Sequence, residues 1–372
     1  MTRPHRAGEM AHAGKAPYAG APAVADERRA DRVQRTLIVG LGRAGLGLHW
    51  AVLSRLREAP ATAQLLSPEP AVVHDVRDVH GVARQHGLVV AETLSAARSM
   101  LEPASTVVHV CTPPSARIDL LRRLAQLGFR HILVEKPLAP DVAVLRQIVE
   151  LKRAHQLRIA VVGHWLDSSL TRRIVEVVSS GRLGALRSIS SLQCKPRLSR
   201  SLRTTGHPTA FDVEVPHILG VALRVAGDAD VVAAGCTDMH VDGRILPRMG
   251  SAHLVLRHTG GVRTEVVSDL TSPVRERRIT LELSGGRLIG HYPGSQDDSY
   301  AQLETVVHGR SQRALLPDDS LATFLARVYG ELAAGTDSDE EFRLNLRVSE
   351  LIADAKSMAL PCADIARAVR GA

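Results

Sequence analysis

Gly40-Leu41-Gly42-Arg43-Ala44-Gly45 follows the short apolar run Thr36-Leu37-Ile38-Val39 and opens into an apolar, helix-like stretch from Leu46 to Leu56. Three glycines with this spacing at a strand–helix junction imply a specific chemistry. The first permits a sharp turn, the second lets the backbone approach a pyrophosphate, and the third lets the helix pack closely on the strand. The anion then rests against helix-terminal N–H groups and the positive end of the helix dipole. The turn, with Arg43 and Ala44 inside it, therefore reads as a seat for NAD or NADP.

Asp75 ends a second apolar run, Ala71-Val72-Val73-His74-Asp75. A carboxylate there accepts hydrogen bonds from the adenosine ribose and repels a 2′-phosphate, which favours NAD slightly. Arg77 nearby keeps NADP open. The spacing from the glycines is lengthened by an Ala- and Pro-rich insertion from Glu58 to Pro70. Two further groups follow later apolar runs: Cys111-Thr112-Pro113-Pro114 after Thr106 to Val110, and Glu135-Lys136-Pro137 after His131 to Val134. In an open parallel sheet the carboxyl ends of the strands form the ligand crevice, so Thr112, Pro113, Glu135 and Lys136 emerge where a nicotinamide would lie. The chain has only five lysines, so background usage does not explain Lys136. A desolvated lysine can anchor the nicotinamide ribose, polarise a substrate oxygen or take part in proton transfer.

The elements that must hold these residues are legible in the hydrophobic pattern. Apolar runs at 36–39, 71–75, 88–90, 106–110, 131–134 and 159–162 alternate with helix-like stretches at 46–56, 79–85, 116–127 and 140–155. This is the sequence form of a parallel doubly wound sheet whose strands are buried on both faces. After Gly163 the rhythm changes. Helices are expected at 169–180 and 213–226, and strands at 186–192, 229–236, 252–256, 263–267, 279–283 and 287–291. Two closing helices are expected at 320–333 and 342–360. Successive strands without intervening helices indicate an antiparallel or mixed sheet. The fold class is therefore α/β: a Rossmann domain over 34–162, then an α+β domain over 163–372 with an open, largely antiparallel or mixed sheet. Its C-terminal helices are free to pack back on the first domain. Residues 1–33, rich in Ala, Gly, Pro and charge, read as a disordered tail in which Met10 is an alternative start.

Composition narrows the function classes. Hydrophobic residues at 45% and charged residues at 23% are globular values. The net charge of +8 arises from an arginine-rich composition and partly from the tail, without a clustered stripe interleaved with aromatics, so no nucleic-acid partner is expected. No apolar run approaches the ~20 residues that cross a bilayer, and the N-terminus lacks a secretory core. The four cysteines, 111, 194, 236 and 362, are too dispersed for a zinc site and read as free thiols, so no metal and a cytoplasmic location are expected.

Taken together, the glycine turn, the acidic second-strand end, Thr-Pro-Pro and Glu-Lys-Pro resemble the glucose–fructose oxidoreductase and inositol dehydrogenase (Gfo/Idh/MocA) family. Val161-Val162-Gly163, Ser179-Ser180-Gly181-Arg182-Leu183-Gly184 and Ser284-Gly285-Gly286 fit its second domain, so the resemblance covers residues 35 to about 358. It implies a catalytic histidine on a second-domain helix, for which Asp212-Val213-Glu214-Val215-Pro216-His217 is the matching segment. His217 takes the histidine place. Val213 stands where an acid is usual, and Glu214, three positions before the histidine, supplies the carboxylate. A histidine near a helix N-terminus has its cationic form disfavoured, which suits a neutral base. Lys136 would polarise the reacting oxygen and Glu214 would position the imidazole or the substrate. Other departures mark an unusual pocket. Arg117 replaces the histidine expected after Thr-Pro, and the arginine-bearing segment after Val-Gly is His164-Trp165-Leu166-Asp167. His164, Trp165, Asp167, Lys195 and Asp212 are candidates for the substrate side. Lys195, Arg197, Arg200 and Arg203 lie in an acid-free stretch that suits a phosphate, a carboxylate or a nucleotide-linked sugar, or simply a solvated loop.

The resemblance implies an NAD(P)-dependent oxidoreductase acting on a small-molecule substrate: a sugar, amino sugar, nucleotide sugar or cyclitol. It also implies a homodimer or homotetramer. Two alternatives stand beside it: a reductase of C=N or conjugated bonds, and a non-catalytic dinucleotide-binding sensor.

Overall fold

The structure is a computed structural model that describes residues 34–361, apart from 204–205, 296–297 and 337–338. The tail expected over 1–33 and Cys362 lie outside the described residues.

Six short strands form the first sheet: β1 (Arg35–Val39), β2 (Val72–His74), β3 (Val89–Val90), β4 (Thr106–Val110), β5 (His131–Val134) and β6 (Arg158–Val161). All pair in parallel, in the order β3-β2-β1-β4-β5-β6. β4 is buried at every position, as a strand covered on both faces must be. Helices α1 (Ala51–Glu58), α2 (His80–Gln85), α3 (Leu94–Met100), α4 (Arg117–Gln126) and α5 (Val142–His155) supply that cover. The strand order reverses between β1 and β4, so the crevice for a ligand opens at the carboxyl ends of these two strands.

The glycine turn sits at that reversal. Gly40 has φ +92°, in the left-handed region, and its N–H bonds His74 O at 2.8 Å. A Cβ on Gly45 would lie 2.0 Å from Gly40 O, so only glycine lets the helix sit this close to β1. The chain enters α1 through a wide π turn, Gly45–Trp50, in which His49 N–H reaches back five residues to Ala44 O at 2.8 Å. Such turns re-aim a side chain, and here His49 turns fully inward. α5 begins at Val142, two residues later than the pattern suggests, because the Asp141 side chain caps it through Val144 N.

The second part contains α6 (Ser169–Ser179), β7 (Leu186–Cys194), α7 (Leu198–Arg203), α8 (Val215–Ala226), β8 (Ala229–Cys236), a small hairpin of β9 (Met239–Val241) and β10 (Arg244–Leu246), β11 (Ser251–His258), β12 (Arg263–Asp269), β13 (Glu276–Leu283), β14 (Gly286–His291), β15 (Tyr300–Val307) and β16 (Arg310–Pro317). The chain closes with α9 (Ser320–Ala333), α10 (Asp339–Met358) and β17 (Leu360–Pro361). Nine of these strands form one mixed sheet, β16-β15-β14-β13-β7-β12-β11-β8-β17, in which β7–β12 and β8–β17 are the parallel pairs. α8 begins at Val215 and not at Val213, because a capped turn at Thr209–Asp212 occupies the preceding residues.

The two closing helices tie the parts together. Phe324, Leu325, Val328 and Tyr329 of α9 pack with Ile38, Leu53 and Val73 on one face of the parallel sheet. Phe342 at the start of α10 joins the cluster on the opposite face, whereas Val348, Leu351 and Ile352 belong to the core of the mixed sheet.

Candidate active site

A cleft of about 970 Å³ opens at the carboxyl ends of β1, β4 and β5 and is closed from the other side by the second part of the chain. Arg43, Ala44, Thr112, Pro113, Glu135 and Lys136 line it from the first domain, and His164, Trp165, Lys195, Glu214 and His217 from the second. A loop clamp shapes the first wall. Arg117, 1% exposed, donates to Thr112 O at 2.8 Å and to Pro137 O, so the position where the family carries a histidine here joins the Thr-Pro-Pro and Glu-Lys-Pro loops. The Lys136–Pro137 peptide is cis.

Lys136 points its ammonium at Val213 O. The residue four before His217 thus contributes a backbone carbonyl in place of an acidic side chain. Burial lowers the Lys136 pKa, opposed by Glu214 and Glu135. Glu135 is engaged on its inner side. Its Oε1 pairs with His49 Nε2 at 3.0 Å, and its Oε2 accepts from Lys136 N at 3.1 Å. The chain continues inward from His49 Nδ1 to His109 Nδ1 at 2.7 Å, from His109 Nε2 to the Tyr329 hydroxyl at 2.8 Å, and from there to Thr36 Oγ1 at 2.8 Å. Neither buried histidine was singled out in the sequence, although a histidine between Val108 and Val110 of the buried β4 was a readable signal.

His217 is placed by aromatic contacts. Its ring stacks on Trp165, centroids 5.3 Å apart, and meets His164 edge-on at 4.8 Å. Trp165 is itself backed by Tyr292 at 4.0 Å, and His164 Nδ1 bonds Ser320 Oγ at 2.8 Å. His217 Nδ1 is buried without a partner. Burial first, then the Lys136 charge, holds the imidazole well below its ordinary pKa. Burial and the Lys136 charge thus favour the neutral ring.

Three expectations about carboxylates are corrected. Glu214 does not reach His217; it accepts from Lys195 Nζ and lies 3.3 Å from Arg277 Nη2, and although burial opposes ionisation these cations hold it down at about 2. Asp167 faces away from the cleft and takes a two-pronged contact from Arg327 of α9 at 2.7 and 2.8 Å. Asp212 caps its own turn through Thr209 N and Oγ1 at 3.0 and 2.8 Å and pairs with Lys356, beside a separate hollow of about 410 Å³. In each case a cation distant in sequence claims the acid. Arg277 and His207, also in the cleft, were missed; the two-residue spacing of Arg275, just before β13, and Arg277, on it, was the available hint.

Asp75 takes Leu41 N–H at 2.7 Å and both the backbone and guanidinium of Arg77. Its side chain is only 4% exposed beneath an Arg77 that is 64% exposed, so a guanidinium covers the carboxylate. The preference for NAD drawn from the carboxylate loses its basis, and both cofactors fit.

His164 and His207 are lowered to about 4 and about 3, in each case chiefly by burial. Below pH 6.5 the unfolded chain binds protons that these folded histidines refuse, so stability falls as pH drops from 6.5 toward their folded pKa values. Each costs about 2 kcal/mol at pH 5. Thermal unfolding measured from pH 7.5 to 5 should show this decline, and His164→Gln should flatten its slope by about one proton; an unchanged slope contradicts the assignment.

Among the described residues no group of three or more His, Cys, Asp or Glu side chains could hold a metal, and no helix is long and apolar enough to cross a membrane. The glycine cradle fits a dinucleotide. So does Thr112 Oγ1, which is buried in the cleft wall without a hydrogen-bond partner.

A parallel sheet with this strand order, a glycine turn at its reversal, and a second domain closing the cleft define an NAD(P)-binding oxidoreductase architecture. Residues 34–164 match the model of the Gfo/Idh/MocA family, described as an oxidoreductase family with an NAD-binding Rossmann fold. Solved structures share the whole architecture. The 3-ketoreductase KijD10 of Actinomadura kijaniata, solved with NADP and TDP-benzene, is 16% identical with a TM-score of 0.73, over 88% of this chain and 98% of that one. UDP-N-acetylglucosamine 3-dehydrogenase GnnA of Acidithiobacillus ferrooxidans is 16% identical with a TM-score of 0.68, over 87% and 97%. A putative NADPH-dependent oxidoreductase of Desulfitobacterium hafniense is 14% identical with a TM-score of 0.73, over 88% and 96%. At these identities the likeness is one of fold. No curated protein matches the sequence.

Proposed function

We propose that this protein transfers a hydride between NAD or NADP and a carbinol or ketone carbon of a sugar, amino sugar, nucleotide sugar or cyclitol. The observation that carries the reading is the convergence of Lys136 and a His217 whose Nδ1 is buried without a partner in the cleft that the glycine turn opens. When bound, the nicotinamide supplies the hydride donor or acceptor. His217 takes the substrate hydroxyl proton in oxidation and returns it in reduction. Lys136, with Lys195 and Arg277 close behind, stabilises negative charge developing on the reacting oxygen. Glu214 holds the latter two cations in place. Thr112 and Glu135 shape the nicotinamide end, and Gly40, Gly42 and Gly45 shape the pyrophosphate end. The non-catalytic alternative explains neither the buried lysine nor the unpartnered His217 Nδ1. Alternate positions of β12 and β13 are only partly buried, which suits pairing between copies, and we place the enzyme in the cytoplasm as a homodimer or homotetramer.

The test is absorbance at 340 nm with NADH and NADPH against keto-sugars, and with NAD and NADP against sugars, nucleotide sugars and cyclitols. Turnover with a carbinol or ketone supports the proposal, whereas activity confined to imines selects the C=N reductase. Arg77→Gln should weaken NADPH about 10-fold more than NADH, read by fluorescence titration; equal effects would remove Arg77 from cofactor choice.

A further inference from the structure

Several buried cations among the described residues are matched to acceptors. Lys195 and Arg277 share Glu214, Arg327 takes Asp167, and Arg117 takes two carbonyls. Arg197 has no such arrangement. It is 4% exposed, it lines the cleft beside α7, and its Nε is buried without a partner. Among the described residues no carboxylate or carbonyl hydrogen-bonds its guanidinium.

Among the described residues the acids that line the cleft are already drawn to other groups, although Glu214 Oε2 meets Arg277 Nη2 only as an ion pair at 3.3 Å. Glu135 is committed to His49 and Glu214 to Lys195. Asp318 accepts from Ser168 Oγ at 2.6 Å and Ser169 N at 3.0 Å, and Asp319 caps α9 and pairs with Arg55 at 2.8 Å. The neighbours of Arg197 are instead cations. Arg200 of α7 and Arg43 of the glycine turn face the same space and, after burial itself, are the next causes that pull the Arg197 pKa down to about 10, with Glu214 opposing. A buried guanidinium among like charges is costly unless an anion completes it. Guanidinium forks arriving from several directions suit a phosphoryl group, whose oxygens accept from more than one of them.

We propose that Arg43, Arg197 and Arg200 form a seat for a phosphoryl group, which bridges the glycine turn to the segment between β7 and α8. The group belongs either to the dinucleotide or to a phosphorylated or nucleotide-linked sugar. The inference rests on the proposed function for these two sources, but the seat itself is testable without turnover.

The experiment uses the full chain and inorganic pyrophosphate as probe, with binding read by calorimetry and by the thermal midpoint. Wild type should bind pyrophosphate in a salt-dependent manner. Arg43→Met, at an exposed position, and Arg197→Met should each weaken that binding at least 10-fold, with Arg197→Lys retaining part of it. Without ligand, Arg197→Met should unfold no lower than wild type, because it removes an uncompensated buried charge. NADH, NADPH and UDP-glucose titrations then separate the sources. A 10-fold loss for the dinucleotides with UDP-glucose unchanged assigns the seat to the cofactor, and the reverse assigns it to the substrate. Equal pyrophosphate affinity in wild type and both methionine variants overturns the seat and leaves the hydride-transfer reading intact. Weakened pyrophosphate binding in a protein that binds neither dinucleotide supports the seat and sinks that reading.

Discussion

Lys136→Met is expected to lower turnover by roughly 10²–10⁴-fold while leaving dinucleotide affinity within about threefold of wild type. The ammonium sits in a cleft wall where burial already opposes its charge, and among the described residues only the backbone carbonyl of Val213 accepts from it. Charge developing on a substrate oxygen gives it a stronger acceptor than that carbonyl, so its contribution is larger in the transition state than in the resting protein. The side chain stem and the surrounding packing survive in methionine. The loss should therefore fall on kcat with KM little changed, and stability should hold or rise. A decrease smaller than tenfold, or parallel loss of cofactor binding, would mean that Lys136 anchors the cofactor or serves the fold.

Gly45→Val should abolish dinucleotide binding, with affinity falling more than 100-fold, and should destabilise the first domain by about 3 kcal/mol. The side chain would need space now filled by Gly40 O at 2.0 Å and Ile38 Cγ2 at 3.1 Å, so the helix must retreat from β1 and carry the turn with it. Gly81→Ala on α2 is the control, since nothing lies within 4 Å of its added Cβ. Fluorescence titration with NADH and denaturant unfolding separate the two effects. A Gly45→Val protein that binds NADH normally would show that the cradle is not where the pyrophosphate rests.

The parallel sheet was readable because strands buried on both faces are largely apolar runs, as in Ile132-Leu133-Val134. What escaped reading carries little hydrophobic signal. α3 buries only Ala97, and β16 is an edge strand exposed along nearly its whole length. The strands of the small hairpin have three residues each, too few to show alternation. The site divides along similar lines. Lys136 and His217 stand next to local markers, a strand end and a helix start. The partners of the carboxylates do not: Asp167 meets Arg327 and Asp212 meets Lys356 only after the chain has folded back through α9 and α10. Local spacing suggested that Glu214 served His217, whereas β7 and β13 deliver two cations that claim it first. The same blindness hid His49, whose partners Glu135 and His109 come from different strands.

The central claim is that the cleft between the two sheets holds a nicotinamide dinucleotide. The chain has two tryptophans, and one of them, Trp165, stacks on His217 in the cleft. NADH or NADPH bound there should quench protein fluorescence saturably at one equivalent per chain, with sensitised nicotinamide emission that Trp165→Phe largely removes. Neither dinucleotide producing a saturable change in the wild-type protein would contradict the account.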